Sequence, residues 1–331
     1  MLGYFVRRVL SALMVIVCVV FVVSTISKLV PGDIVDMMEA GNPGMTEQDK
    51  TALREQLGVN KPVLQNFYDY ATGIVLRGDF GNSTRLRSSA IVLIAERIPA
   101  TLELALTALI FALLVALPLG IVCALRQGTA IDYFGSIISV FGVAVPNFLI
   151  GIILILVFSV ELQWLPSTGY KGSVVVGGWE ALRAWDWNLL WDRLRYILMP
   201  AISLAFFVIA LNTRLIRSTM LDVIRQDYLQ FARAKGVPER MVFLKHAFRN
   251  ALIPTVTIVG LQLGTLLGGT YIIENVFAWP GIGRLTVQSI FWRDYPLIQA
   301  SVLVAACVFV FLNLLVDLLY RLIDPRIRYV R

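Results

Sequence analysis

Six long apolar stretches dominate the pattern of hydrophobic and polar positions along the 331-residue chain. A helix that crosses the hydrocarbon core of a bilayer needs about 20 predominantly apolar residues, and each stretch is close to this length or longer. The pattern therefore predicts an all-α membrane protein with six transmembrane helices. The predicted spans are residues 9–30, 101–125, 133–160, 198–216, 252–273 and 297–320.

Basic residues between the spans predict how the chain is oriented. Arg7 and Arg8 precede the first span, and Arg126 lies between the second and third. Eight basic residues lie between positions 214 and 249, and four arginines lie between positions 321 and 331. Cytoplasmic loops are enriched in Lys and Arg, and six spans place all these segments on one side. Both termini and the loop 217–251 are therefore predicted to be cytoplasmic.

Two polar segments are predicted to be external. In the region 31–96, Thr46 and Asp49 have the spacing of a helix N-cap, Gly58 would end that helix, and Pro62 would begin another. This region is either a docking surface for an external partner or a scaffold that covers the ends of the spans. The segment 170–196 contains four tryptophans, which favour either a helix at the membrane–water interface or stacking on a ligand.

Composition supports the membrane assignment and narrows the chemistry. Hydrophobic residues make up 58% of the chain, charged residues make up 15%, and mean hydropathy is +0.76. The net charge of +7 is concentrated in the cytoplasmic segments, so nucleic acid is not expected as a partner. The three cysteines lie within apolar stretches, and the single His246 has no nearby ligand partners, so neither a disulfide nor a metal site is predicted.

The spans contain few ionisable residues, and no chain of acids or histidines crosses the predicted membrane. Pro118 and Pro146 lie within the second and third spans, where each removes a backbone donor and suggests a helix that must bend or pack closely. Gly260, Gly264 and Gly268 recur every four residues in the fifth span. Such a stripe lets another helix approach closely. It would serve either ordinary helix packing or the lining of a pathway.

The basic loop predicts a helix, a glycine turn and a second helix. The sequence STMLDVIRQDYLQFARAKG is predicted to be one helix with an apolar face, formed by Leu221, Ile224, Tyr228 and Phe231. Gly236 would adopt the left-handed conformation at its C-terminus, and Pro238 would begin a second helix with an apolar strip of Met241, Leu244 and Phe248. Such a helix fits a groove on another protein or lies on anionic lipid.

This loop resembles the EAA loop of ATP-binding-cassette (ABC) importer permeases, with the small-residue triplet ARA at 232–234, then Gly236, then Ile253 and Pro254. Phe231 stands where the wider family has glutamate. Further motifs, in the same order as in the dipeptide/oligopeptide/nickel permease subfamily, extend the resemblance over almost the whole chain. These motifs are FVRRVL, LVPGD, LRGDFGNS, RIPATLELA, PNF, ENVFAWPGIGRL, RDYP and LIDPRIRY.

The resemblance implies a type I importer permease that forms half of a translocation pathway in the bacterial plasma membrane. Implied partners are a homologous second permease, two cytoplasmic ATPases, an external solute-binding protein and membrane lipid. The chain itself would be no enzyme and would carry no cofactor, since the ATPases would bind ATP and Mg. The implied ATPase-coupling residues are Tyr228, Phe231, Ala232, Arg233, Ala234, Lys235, Gly236 and Val237. Gly260, Gly264, Gly268 and Pro146 are candidates for helix packing or the pathway.

The implied organisation divides the chain into four parts: a first transmembrane helix (1–30), an external helical region (31–96), a type-1 transmembrane domain (97–320) and a cytoplasmic tail (321–331). By resemblance the solute is a dipeptide or oligopeptide, with glutathione, nickel chelates, opines and oligosaccharides as alternatives. Two other classes are an ion-coupled secondary transporter and a membrane anchor for a cytoplasmic protein. The first would need ionisable relays or internal repeats, and the second would need only the basic loop.

Overall fold

The computed structural model describes residues 2–29, 35, 46–56, 62–243 and 248–323, and their regular structure is helical. A short π-helix, Ile155–Glu161, continues from the seventh α-helix. The α-helices are α1 (Leu2–Leu29), α2 (Glu47–Gln56), α3 (Val63–Arg77), α4 (Ala90–Ala95), α5 (Ile98–Leu125), α6 (Ala130–Ala144), α7 (Asn147–Leu154), α8 (Val174–Ala184), α9 (Asn188–Ile224), α10 (Asp227–Ala234), α11 (Glu239–Met241), α12 (Arg249–Val276), α13 (Ile282–Phe291) and α14 (Tyr295–Ile323).

Helices coincide with all six predicted spans in the part of the chain that the structure describes. Three segments are long and apolar enough to cross a bilayer alone, namely Ala90–Leu125, Asn188–Ile224 and Tyr295–Leu315. Helix α6 and the helix formed by α7 and the π-helix are separated by a bend. Taken together as one span, they make a fourth membrane-crossing segment. The total of six spans stays a prediction.

The third span is bent at its internal proline, in agreement with the bend that Pro146 suggested. It breaks between α6 and α7, and the two helical parts are bent by 104°. Val145 is extended there, with φ −90° and ψ 125°, and Pro146 precedes the first residue of α7. A residue before proline is disfavoured in the helical conformation, which explains the position of the break. Pro118, by contrast, lies inside the unbroken α5.

The chain divides into two compact units. The first comprises residues 1–99 and 281–311. In it α1 packs against α3, where the rings of Phe21 and Phe67 meet edge to face at 5.6 Å. The predicted N-cap of α2 is confirmed, because the Thr46 amide donates to Asp49 Oδ2 at 3.1 Å and the Asp49 amide donates to Thr46 Oγ1 at 3.2 Å. The hydrogen bond from the Thr46 hydroxyl lowers the pKa of Asp49. Gly58 lies outside the described residues.

Two distant motifs meet inside the first unit. Asp294, which is fully buried, accepts hydrogen bonds from the Ser83 hydroxyl and from the Arg85 amide. Gly81, with φ +83°, lies so close to Pro296 that an added Cβ would be only 3.0 Å from its ring. The LRGDFGNS and RDYP motifs are therefore parts of one local structure. An apolar core beside it joins α4 to α13 and α14.

The second unit comprises residues 100–280 and 312–331. Its central helix is α9, which packs against α6, α7, α8 and α12. Glycines allow close helix contacts in this unit: a Cβ on Gly120 would lie 2.8 Å from Ile216, and one on Gly142 would clash with Ala210. A buried cluster of α5, α9 and α12 side chains includes Trp279, whose indole N–H donates to the Ala100 carbonyl at 2.9 Å.

Helix α8, which lies in the tryptophan-rich segment 170–196, is held in the second unit by polar contacts. Glu103 of α5 accepts hydrogen bonds from the Ser173 hydroxyl at 3.0 Å and from the amides of Val174 and Val175. Arg193 donates to the Ser173 carbonyl at 2.8 Å and pairs with a carboxylate on α8. The opposite side of α8 and its flanks expose four tryptophans, namely Trp179, Trp185, Trp187 and Trp191.

Candidate functional site

The candidate coupling segment, residues 227–243, begins with a break in the helix. The sequence predicted one helix through positions 218–235, but α9 ends at Ile224, and Gln226 is extended (φ −74°, ψ 142°) before α10 starts. Met220 of α9 and Leu229 of α10 belong to the same buried cluster. They are nine positions apart, which would put them on opposite faces of one straight helix. The break at residues 225–226 allows both to be buried together, so the single-helix prediction was wrong.

The buried side of α10 also differs from the predicted apolar face. Leu229 is completely buried, whereas 43% of Tyr228 and 62% of Phe231 are exposed. The sequence pattern placed Tyr228 and Phe231 on the buried face because they are three positions apart. Leu229 lies on a different face of α10, and that face is the buried one. Two aromatic side chains therefore project from α10 while a single leucine anchors it.

Gly236 ends α10 as the sequence predicted, with φ +79°. The Val237 amide donates to the Ala232 carbonyl at 3.2 Å, and the Gly236 amide donates to the Arg233 carbonyl at 2.9 Å. These two bonds define a Schellman motif, in which the left-handed residue is normally glycine. Open space surrounds the position where a Gly236 Cβ would lie. The need for glycine therefore comes from backbone conformation and not from crowding.

The cations of the segment lie along its surface. Lys235 Nζ is 4.6 Å from the centroid of the Phe231 ring. Arg233 pairs with Glu239 at 2.9 Å, and its guanidinium is 5.8 Å from the Phe243 ring. Ala234, Lys235 and Gly236 are exposed, and Ala232, Arg233 and Val237 are partly buried. The exposed surface thus combines two aromatic rings, small residues and positive charge, a composition suited to a groove on a partner protein.

The second helix begins directly after Pro238, as the sequence predicted. Its α-helical turn, α11, covers Glu239–Met241, and residues 242–243 continue it as π-helix. Val242 is fully buried, whereas 46% of Met241 is exposed. The predicted strip is therefore corrected at Met241; Phe248 is partly buried, and Leu244 lies outside the described residues.

The anchor of α10 connects four helices of the second unit. Leu229 and Val242 share a buried cluster with side chains of α5, α9 and α12, namely Ala116, Ala124, Ile216, Met220 and Ala251. Protein interiors are close-packed, so a displacement of one buried side chain is transmitted to its neighbours. Sequence reasoning missed Leu229. In the sequence Leu229 is one apolar residue between two aromatic ones, and this pattern does not show which of the three is buried.

Two polar contacts join the helices around this cluster, one buried and one partly buried. Asn212 of α9 donates to Gln262 of α12 at 2.6 Å, and both side chains are buried. Arg217 of α9 makes a bidentate ion pair with Asp132 of α6, with 2.8 Å between Nη2 and Oδ2. Asn212 and Gln262 lie within predicted spans, where polar groups are costly unless paired. Sequence reasoning identified neither pair, because their members are 50 and 85 positions apart.

The glycine stripe of the fifth span lies on α12, where the three glycines differ. Gly264 is buried, Gly260 is partly buried and Gly268 is exposed. A Cβ on Gly268 would meet nothing within 4 Å. Close contacts of glycines in this unit also occur at Gly120 and Gly142. The role of the stripe, like that of Pro146 at the α6–α7 bend, stays a prediction.

The candidate coupling segment offers a surface for contact with another protein. The described residues contain no group of three or more His, Cys, Asp or Glu side chains placed to hold a metal ion. The helices are instead arranged as apolar membrane-crossing elements with a small helix packed into their junction. The fold and this site define the class of protein as a helical membrane transport component.

Comparison with known proteins specifies the class further. Residues 116–329 match the family described as binding-protein-dependent transport system inner membrane component, and residues 1–105 match the N-terminal family of the same components. The chain therefore belongs to the binding-protein-dependent transport system inner membrane component family. It is a permease subunit of an ABC importer, as its motifs predicted.

Curated relatives match over the whole length. The chain is 39% identical over 330 residues to the oligopeptide transport system permease protein AppB of Bacillus subtilis (99% of this chain and 100% of the relative). It is 39% identical over 329 residues to the glutathione transport system permease protein GsiC of Salmonella typhimurium, with the same coverage. It is 37% identical over 343 residues to the dipeptide transport system permease protein DppB of Alkalihalophilus pseudofirmus, again with 99% and 100% coverage.

A solved structure supports the fold. The MetNI methionine ABC transporter, in inward-facing conformations, contains a chain that matches with a TM-score of 0.54 at 18% identity. The match covers 71% of this chain and 97% of the other. The type I importer permease fold that the motifs implied is thereby confirmed at the level of architecture.

Proposed function

We propose that the chain forms half of the translocation pathway of a peptide importer in the bacterial plasma membrane. A homologous permease completes the pathway, two cytoplasmic ATPases bind ATP and Mg and supply the energy, and an external binding protein delivers the solute. Both termini and the candidate coupling segment lie in the cytoplasm. The chain hydrolyses nothing and moves in response to its partners.

One observation carries this proposal: α10 has a buried side fixed in the membrane helices and an exposed side suited to a partner. Leu229 is fully buried, and Phe231, two positions further along, is 62% exposed. A segment that only lay on lipid would need no buried anchor shared with α5, α9 and α12. The pairing of anchor and exposed surface is what transmission of force between subunits requires.

The mechanism follows from that pairing. When the ATPase dimer closes on ATP, the groove that holds Tyr228, Phe231 and the Gly236 turn shifts, and α10 shifts with it. Leu229 passes the displacement to Ala116 and Ala124 of α5 and to Met220 of α9 through the cluster they share. The permease pair then opens toward the binding protein, and hydrolysis and release reset it. Alternating access is the result.

The solute we propose is a short peptide. The relatives at 37–39% identity are named as oligopeptide, glutathione and dipeptide permeases, and all three substrates contain peptide bonds. This shared chemistry supports a di- or oligopeptide, or a related small peptide, delivered by the binding protein.

Reconstitution with the proposed partners tests the function. The four-subunit complex is placed in liposomes with the binding protein, and uptake of labelled di- and oligopeptides is measured. Uptake should require both ATP and the binding protein. Uptake driven by an ion gradient without ATP would contradict the proposal and favour a secondary transporter. Absence of any ATPase subunit from the purified complex would favour a simple membrane anchor.

Orientation is tested separately by thiol labelling. Cys18, Cys123 and Cys307 are first replaced by serine, and single cysteines are introduced as Gln48→Cys and Gln230→Cys, both at exposed positions. In intact spheroplasts an impermeant reagent should label position 48 and leave position 230 unmodified until the membrane is permeabilised. The reverse pattern would contradict the proposed topology.

A further inference from the structure

Helix α8 carries its large apolar side chains on the outside. Its buried residues are Gly177 and Ala181, which lie about one turn apart. The opposite face has three large apolar side chains at helical spacing, each more than half exposed, namely Val175, Trp179 and Leu182. A helix on the surface of a water-soluble domain has the reverse arrangement, with its apolar stripe toward the core. The outer face of α8 is therefore an apolar surface without a partner in this unit.

Contacts on the inner side fix which face of α8 points outward. Glu180 pairs with Arg193 of α9, and Glu103 of α5 accepts backbone amides at the N-terminus of α8. A Cβ on Gly177 would lie only 2.5 Å from Arg193 Cδ, so the two helices are in direct contact there. Rolling α8 to bury its apolar face would break all of these contacts. The outward direction of that face is thus built into the unit.

The contacts with α9 also fix the level of α8 along a membrane-crossing helix. Helix α9 is long and apolar enough to cross a bilayer, and its residues 196–213 include no charged side chain. That stretch is about 27 Å long, close to the thickness of the hydrocarbon core. Helix α8 approaches α9 at Leu190 and Arg193, about 5–9 Å before the uncharged stretch begins. A headgroup layer is about 5–7 Å thick, so α8 lies at the level of the lipid headgroups.

The side chains around α8 have the composition of a membrane–water interface. Tryptophan is enriched there because its ring is apolar and its N–H is polar. Four tryptophans are exposed between α8 and the first turn of α9, namely Trp179, Trp185, Trp187 and Trp191.

An exposed cation lies beside one of these indoles. The Arg183 guanidinium is 4.9 Å from the centroid of the Trp179 ring. Lys171, Arg193 and Arg195 of the same segment pair with carboxylates. Arg183 belongs to none of the ion pairs formed by the described residues, and its side chain is exposed. The outer face therefore combines apolar surface with a guanidinium group that an anionic headgroup can approach.

We propose that α8 lies in the membrane–water interface and that its outer face, formed by Val175, Trp179, Leu182 and Arg183, binds phospholipid. The apolar side chains contact the upper part of the acyl chains. Arg183 binds the lipid phosphate, whose oxygens match the donor fork of a guanidinium. A protein partner would also cover an apolar face, but the level of α8 on α9 and the exposed indoles favour lipid. This site depends neither on the transported solute nor on which side of the membrane α8 lies.

Depth-dependent quenching tests the location of α8. An assembled importer without native cysteines carries the fluorophore bimane at Leu182→Cys and is placed in phospholipid nanodiscs. The lipids carry a nitroxide either near the headgroup or near the end of the acyl chain. We expect strong quenching by the shallow nitroxide, weaker quenching by the deep one and little quenching by aqueous iodide. Gln230→Cys, an exposed position in the candidate coupling segment, is the control and should be insensitive to both lipid nitroxides.

Other results would overturn the assignment. Strong quenching by iodide with none by the lipid nitroxides would place α8 in water. Protection from all three quenchers, or loss of the lipid quenching when a solute-binding protein is added, would assign the outer face to a protein partner. These measurements do not require transport, so their outcome is independent of the proposed function.

Lipid selectivity tests the role of Arg183. Shallow-nitroxide phosphatidylglycerol and phosphatidylcholine are compared as quenchers of bimane at position 182. We expect Arg183→Gln to lower the preference for phosphatidylglycerol about five-fold, since each cation near an anionic headgroup layer contributes about this factor. Arg183→Lys keeps the charge and should retain most of the preference. Arg225→Gln removes an exposed arginine at the far end of α9 and is the control. An unchanged preference in Arg183→Gln would refute the phosphate contact.

Discussion

Helices α8 and α10 are similar in size and setting but are held to the second unit in opposite ways. Each is short, 11 and 8 residues, and each carries exposed aromatic side chains. The N-terminus of α8 is fixed by Glu103, which receives two backbone amides and a hydroxyl. By contrast, α10 is anchored by Leu229 in an apolar cluster.

The different anchors indicate which of the two helices can change its position. Hydrogen bonds weaken steeply when their angles change, so a helix held by a carboxylate at its N-terminus keeps one orientation. Apolar contact is non-directional, so α10 can rotate or shift slightly while Leu229 stays buried. The contrast therefore supports a fixed α8 and a displaceable α10, and four variants test it in decreasing order of expected effect on stability.

Removing the apolar anchor should have the largest effect. Leu229→Ala leaves a cavity in the buried cluster, and we expect the free energy of unfolding to fall by about 2–5 kcal/mol. Phe231→Ala is the matched control, because 62% of Phe231 is exposed. It should leave thermal stability nearly unchanged but reduce affinity for the ATPase subunits. Equal loss of stability in both variants would contradict the assigned faces of α10.

Removing the polar anchor of α8 should come next. Glu103→Ala leaves the amides of Val174 and Val175 without that acceptor, at a cost of about 1–3 kcal/mol. Hydrogen exchange across residues 174–184 should become faster, while ATPase stimulation by the binding protein stays at the wild-type level. Glu161→Ala, at an exposed carboxylate, serves as the control. Slower or unchanged exchange in Glu103→Ala would show that α8 is held by other contacts.

The glycine turn after α10 should give a smaller change in stability but a large one in coupling. Gly236→Val places a β-branched residue at φ +79°, which costs about 1–2 kcal/mol. Transport and substrate-stimulated ATPase activity should fall together in a complex that still inserts.

Gly128→Val is its matched control. Gly128 also has positive φ, +77°, with nothing within 4 Å of the added Cβ, but it lies outside the candidate coupling segment. It should show a similar loss of stability with normal coupling. Normal coupling in Gly236→Val would refute the assignment of the turn to the ATPase contact.

The exposed ion pair of the segment should matter least. Glu239→Gln removes the partner of Arg233, and both side chains are about a third or more exposed. Surface ion pairs contribute about 1 kcal/mol or less, so the midpoint of thermal unfolding should change little and ATPase stimulation should be retained. A large loss in either measurement would mean that this ion pair is needed to keep the loop ordered.

Local features were predictable because a few neighbouring residues determine them. The N-cap formed by Thr46 and Asp49 was predicted from their spacing and is confirmed. The left-handed Gly236 was likewise predicted from its position after an apolar helix and is confirmed by its φ of +79°. The helices at all six apolar stretches belong to the same group, since length and composition favour them without reference to the rest of the chain.

Features that depend on distant residues were not predictable. The buried position of Leu229, and with it the exposure of Phe231, depends on which helices surround α10. The pairs Asn212–Gln262 and Arg217–Asp132 need helices that the sequence does not place side by side. The family motifs identified the candidate coupling segment, but they did not indicate which side chain anchors it.

The sequence by itself determined the class of the protein, its apolar helices, the conformation of Gly236 and the membership of an importer family. Hydrophobic length and short-range backbone preference are properties of the local chain. Only the tertiary structure decided where α9 stops, which side of α10 is buried, and which polar side chains pair between helices. Each of these depends on close packing between segments far apart in sequence, where burial of one side chain is fixed by the shape of its distant neighbours.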